Sequence, residues 1–241
     1  MQIDTIISSY SIQVTIYGSI LLLILVFISL ASKKLSNSLK KILFFSIVAI
    51  VISVTLFLMG STIYLNTVSL SKGPVHYHAD FEIWNCGEEI ELEDPEGLEN
   101  KVGTSTLHEH NDSRIHLEGV VVDNLSASLG NFFEELGGYI TPNSLSIRTH
   151  NGPLTLKSNY MCQNGAIGQL QVFVYKTQNG IFYQEKIDDP ANYVISPHTN
   201  VPPGDCIIIE FGEFKNKTDK LCRSFKVQEA LGKIRGLKYG N

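Results

Sequence analysis

Residues 5–32 carry no charged side chain, and neither do residues 42–71. Each run has a long apolar core, at 20–28 in the first and from 42 onward in the second. Crossing the hydrocarbon layer of a bilayer takes roughly 20 mostly apolar residues, in a helix that satisfies its own backbone hydrogen bonds. Two transmembrane helices are therefore expected, at about 11–31 and 42–66, forming a helical hairpin over residues 1–71. Such a start leaves the rest of the chain, from residue 72, to fold as a separate domain.

The flanks predict the orientation. Residues 32–41 hold Lys33, Lys34, Lys40 and Lys41, while Lys72 is the only basic residue between there and Lys101. Short lysine-rich loops stay on the cytoplasmic side. The N-terminus and everything after residue 72 are then expected to be extracytoplasmic, in a multi-pass protein of the cell membrane. Met1-Gln2-Ile3-Asp4 lacks a basic flank, and no small-residue cleavage site follows the first apolar run, so that run does not read as a cleavable signal peptide.

Residues 72–214 carry 7 Lys and Arg against 21 Asp and Glu, a net of −14; residues 215–241 carry 8 against 2, a net of +6. The acidic stretch excludes nucleic acid as its partner, because phosphate binding needs a basic footprint. The lipid bilayer is the expected partner, together with other membrane proteins. The basic stretch reads as a C-terminal tail helix on Phe225, Val227, Leu231, Ile234 and Leu237.

Within the domain, residues 76–118 concentrate the chemistry. Five of the seven histidines lie here: His76, His78, His108, His110 and His116. Successive side chains on a strand point to opposite faces. On that basis Tyr77, Ala79, Phe81 and Ile83 form an apolar face, and His76, His78, Asp80 and Glu82 share the other. Ile115, Leu117 and Val121 then oppose Arg114, His116 and Glu118. Two strands are thus expected to bury one face each and to present histidine and carboxylate on the opposite one.

Elsewhere the pattern reads as an α+β domain. The strand through Asp80 turns at Asn85-Cys86-Gly87 and returns as a hairpin. Leu129, Phe132, Phe133 and Leu136 recur at helical spacing between a serine cap, Ser126 or Ser128, and Gly137-Gly138. Further strands are expected at 144–148, 169–175, 181–187 and 206–211, with Asn179-Gly180 as a tight hairpin turn and residues 207–209 as a buried central strand. A β-grasp-like mixed sheet packing one helix is the favoured architecture, and a β-sandwich with an inserted helix the alternative.

Cys86, Cys162, Cys206 and Cys222 would lie in a disulfide-permissive compartment. Four cysteines allow three pairings. Cys206 with Cys222, and Cys86 with Cys162, is the favoured set, because the first bond would fasten the tail to the domain. The alternatives are unpaired thiols or a thiol recruited to a metal.

Imidazole is the commonest protein ligand for zinc and copper, and such sites take about three or four groups. A His-x-His pair on a strand places both rings on one face. The five histidines are therefore candidate ligands for a Cu or Zn ion, with Asp80, Glu82 and Glu118 as alternative ligands or as groups that orient the rings. His150 and His198 lie outside the cluster and read as ordinary polar residues. No His-Glu-x-x-His and no Gly-x-Ser-x-Gly is present, and Met161-Cys162-Gln163-Asn164 lacks the histidine of a blue-copper loop.

Several of these stretches recur together. His-x-His-Ala-Asp-Phe at 76–81, Leu-His-x-His at 107–110, His-Leu-Glu-Gly-Val at 116–120 and Leu-Gly-Asn-Phe-Phe-Glu-Glu-Leu-Gly at 129–137 appear in that order. They are followed by Leu-Gln-Val-Phe-Val at 170–174 and Gly-Asp-Cys-Ile-Ile-Ile-Glu-Phe-Gly at 204–212. The set resembles a poorly characterised group of His-rich, membrane-anchored extracytoplasmic proteins of prokaryotes. The resemblance covers residues 75–212 and implies the two histidine strands and the helix, without an activity. The chain departs from that pattern at Cys86, inserted in what is otherwise an Asn-Gly turn.

The expectation is a membrane-anchored extracytoplasmic protein that binds a transition metal without catalysing a reaction. An accessory subunit of a membrane assembly and a metalloenzyme are the alternatives.

Overall fold

The computed structural model describes residues 3–32, 34–95, 100–196 and 204–236. His198 and Leu237 lie outside them. Two compact units emerge: Met1–Gly73 with Val120–Val122, and Pro74–Gly119 with Asp123–Asn241.

The first unit is built on α1 (Ile3–Ala31) and α2 (Asn37–Val68). Both extend beyond the expected spans at 11–31 and 42–66, and both are long and apolar enough to cross a membrane. Their large apolar side chains point outward: Leu23, Phe27, Leu30 and Phe45 are all exposed. A helix from the core of a soluble protein would bury such residues. Gly18 packs against Val54 of the other helix, where a Cβ would stand 2.8 Å from Val54 Cγ2. Ser36 caps α2, its hydroxyl accepting from the Leu39 amide.

The second unit is a mixed α/β domain with a large sheet. Its strands are β1 (Pro74–Asn85), β2 (Glu88–Ile90), β3 (Val102–Gly103), β4 (Leu107–Glu109), β5 (Arg114–Val120), β6 (Tyr139–Ile140), β7 (Ser144–Thr149), β8 (Gly152–Lys157), β9 (Gln169–Gln178), β10 (Ile181–Ile187), β11 (Asp205–Gly212) and β12 (Arg235–Gly236). Nine of them form one sheet in the order β12-β10-β9-β11-β1-β5-β4-β3, with β2 also paired to β1, and β6-β7-β8 form a separate antiparallel sheet. The mixed sheet with a packed helix is therefore larger than a β-grasp. The expected strand at 144–148 belongs to the second sheet, and its partner β8, alternating through Leu154 and Leu156, is not among the expected strands.

The centre of the large sheet follows from sequence. β11 is buried along its whole length, parallel to β1 on one side and antiparallel to β9 on the other. Ile207 and Ile209 share a face with Phe81, and the Phe81 ring meets Phe132 at 5.6 Å. Phe132 lies on α3 (Leu129–Glu135), capped by Ser128 and followed by Gly137 at φ 75°. On the opposite face Cys206, Ile208, Phe173, Tyr175 and Phe182 pack against Cys222, Phe225 and Ile234.

That second cluster corrects the reading of the tail. The helix α4 (Arg223–Ala230) is short, Gly232 turns the chain at φ 71°, and β12 then pairs parallel to β10. Ile234 enters the core from an extended segment instead of a helix face. The segment before α4 is tied down as well: the Tyr175 hydroxyl donates to the Lys220 carbonyl at 2.7 Å, and Lys215 Nζ meets the buried Glu210 at 2.5 Å. Residues 215–236 thus complete the domain. Cys86–Cys162 and Cys206–Cys222 both stand at disulfide distance, the expected pairing. The β1–β2 turn has positive φ at both Cys86 and Gly87 (52° and 95°), so the inserted cysteine takes a left-handed position in a two-residue hairpin loop.

Candidate metal centre

Three neighbouring strands supply the histidines. β1 carries His76 and His78, β4 carries His108, and β5 carries His116; His110 follows β4 directly. In the β4–β5 ladder His108 pairs with His116 and Leu107 with Leu117. Leu107, Ile115 and Leu117 are fully buried, so the hydrophobic effect sets the register and sends both rings to the other face. β3 reaches β4 through Gly103, where a Cβ would stand 2.5 Å from the Leu107 carbonyl oxygen, a contact that only glycine permits at φ 108°.

The outcome is two overlapping triads. One nitrogen from each of His76, His78 and His116 lies within 4.8 Å of the others, and the same holds for His108, His110 and His116. His116 belongs to both. Its ring stacks on His108 (centroids 5.4 Å, planes 8° apart) and meets His78 and His110 edge-on at 4.6 and 4.8 Å. All five expected ligands are therefore brought together.

Partners of the rings decide which nitrogen is free. His116 Nε2 stands 3.2 Å from Asp112 Oδ2, and His76 Nε2 stands 3.1 Å from Glu118 Oε1. His110 Nδ1 contacts the Asn100 carbonyl oxygen. An oxygen of this kind accepts a hydrogen bond from the ring N–H, so the neutral tautomer of each ring keeps its lone pair on the opposite nitrogen. That is how ligating histidines are held in metal sites. Among the described residues His108 Nδ1 is buried and has no hydrogen-bond partner. Burial holds His78 down to about 4, helped by the neighbouring His116 and His76, and burial also lowers His108. Both rings are neutral at pH 7, the form that binds metal.

The carboxylates divide differently from the expectation. Glu118 does join the histidines. Asp80 and Glu82, although on the same face of β1, are 5% and 7% exposed and turn to other groups. Arg114 Nε donates to Asp80 Oδ1 at 2.7 Å, and Trp84 Nε1 donates to Glu82 Oε2 at 3.1 Å. Both acids line a polar cleft of about 610 Å³ with Arg114, Arg223 and Lys226, and Asp112 borders it. Asp112 and Asn100 are the site residues that alternation misses, because neither lies on a strand that carries a histidine. His150 stands apart, paired with Asp94 at 2.8 Å.

No family model, no curated protein and no solved structure matches the chain. The functional reading therefore rests on this geometry.

Proposed function

We propose that the chain is a membrane-anchored protein whose extracytoplasmic domain binds one transition-metal ion, Cu(II) or Zn(II), and holds or passes it on without catalysing a reaction. The observation that carries this reading is the gathering of five imidazoles into two triads with ligand atoms within 4.8 Å. An all-nitrogen set suits copper and zinc, and the oxygen partners on three of the rings supply the orienting shell such sites need. Two helices of membrane-crossing length and two cysteine pairs at disulfide distance support placement at a membrane, facing an oxidising space.

The test is elemental analysis of the full chain purified in detergent without a polyhistidine tag. A variant with His76, His78, His108 and His110 all changed to Ala is analysed beside it. About one Cu or Zn per chain, lost in the variant, is the expected result. No metal in the wild-type chain after loading and dialysis would overturn the proposal.

A further inference from the structure

The two triads share one ring, and that ring has one nitrogen to give. His116 Nε2 is engaged by Asp112, which leaves Nδ1 as its only lone pair. A lone pair binds one ion. Filling both triads at once would require His116 to surrender Asp112 and lose its last ring proton, and would set two dications a few ångströms apart, where they repel strongly. Resting on the reading of these histidines as ligands, we infer that the triads are two successive seats for a single ion, with His116 as the ligand common to both.

The seats differ in the way a transfer path requires. The outer seat opens to solvent through His76, whose side chain is 62% exposed. The inner seat closes on His108, which is 2% exposed, while the His116 side chain, at 12%, lies between the two extremes. In the inner seat His110 is held by the Asn100 carbonyl, and the buried Nδ1 of His108 has no partner among the described residues. A buried ring nitrogen left without a hydrogen bond is a cost that a bound ion removes. An ion captured by His76 and His78 therefore moves inward by keeping His116 while exchanging two outer nitrogens for two inner ones. The exchange replaces imidazole nitrogens with imidazole nitrogens and leaves the oxidation state of the ion unchanged, so no electron needs to be supplied from elsewhere.

The probe is Cu(II) added to the full chain in detergent, followed by elemental analysis, electron paramagnetic resonance and stopped-flow absorption. The wild-type chain is expected to take one ion with the signal of an isolated Cu(II). A His76→Ala/His78→Ala variant is expected to reach the same final occupancy but to load about tenfold or more slowly; His108→Ala/His110→Ala is expected to load at the normal rate and release copper to a chelator about tenfold or more faster. Circular dichroism and melting of each metal-free variant establish that it is folded. Two ions per chain with spin-coupled copper would overturn the relay while leaving metal binding intact, and so would loading rates unchanged in the outer variant. A wild-type chain that takes no copper would overturn the metal-binding reading itself, and the relay with it.

Discussion

His108 and His116 face each other across the β4–β5 ladder with their rings stacked, centroids 5.4 Å apart and planes 8° from parallel. Two apolar neighbours set the register that brings the rings opposite each other. Leu107 and Leu117 form the next pair in the register and are both buried, so a slip by one residue would drive the imidazoles into the core and the leucines out of it. The candidate centre is thus held by the packing of the sheet beneath it.

Asp112 lies beside the centre without being one of its histidines. Asp112→Asn removes the anionic acceptor that fixes the His116 tautomer and leaves the half-exposed turn otherwise intact. Metal affinity, measured by competition against a chelator of known strength, is expected to fall about 10- to 100-fold. The melting temperature of the metal-free chain should stay within a degree or two of wild type, about the effect of a neutral surface change.

Arg114 pairs with an acid that is almost wholly buried. Asp80 is 5% exposed, and its Oδ2 has no hydrogen-bond partner among the described residues, so the Arg114 contact at 2.7 Å is its principal compensation. Arg114→Met should destabilise the domain by about 3 kcal/mol, the scale for stranding a buried charge. Adding Asp80→Asn to Arg114→Met should restore most of that loss in thermal denaturation. A double variant no more stable than Arg114→Met alone would show the loss to come from packing of the arginine stem.

The Cys206–Cys222 bond joins residues 16 apart in sequence and ties the start of α4 to β11. Loop entropy alone assigns such a closure about 3 kcal/mol. Changing both cysteines to Ala should therefore lower the melting temperature and release the segment that carries Phe225 and Ile234. Limited proteolysis should then cut after residue 215 first, while the β1–β2 hairpin, held by Cys86–Cys162, remains protected.

Glu82 makes stability depend on pH. Burial is the main cause that raises its carboxyl above the ordinary 4.5, only partly offset by Lys226 and the Trp84 hydrogen bond. In the window above 4.5 the folded state therefore holds this proton more firmly than the unfolded state. Its contribution to stability falls as pH rises through that window. Glu82→Gln keeps an acceptor for Trp84 and cannot ionise. Relative to wild type, the variant should be nearly neutral at pH 4 and progressively more stable toward pH 7, as read from melting curves at matched ionic strength.

Local pattern carried a large part of this molecule. Period-two alternation predicts that His76 and His78 share a face and that His116 opposes Ile115 and Leu117, because a strand has no other way to sort its side chains. The same logic places the buried strand at 207–209, the Ser128-capped helix and the Asn179-Gly180 turn, whose φ values of 52° and 74° suit those two residues. Uncharged length alone marks α1 and α2 as helices able to cross a membrane.

Tertiary structure decided the rest. Nothing near His76 in sequence says that β1 will lie next to β5, or that β5 and β4 will set His116 between two pairs of rings. Strand neighbours are chosen by the whole sheet's burial, a sum over distant segments. Asp80 and Glu82 have the same alternation as His76 and His78, yet Arg114 holds Asp80, Trp84 holds Glu82, and both acids line a cleft shared with α4 residues Arg223 and Lys226. The roles of Asp112 and Asn100 arise in turns, where side-chain direction follows backbone geometry instead of a repeating period. Which residues bear imidazole was written locally; which rings meet, and which nitrogen each leaves free, was settled only when the sheet closed over its core.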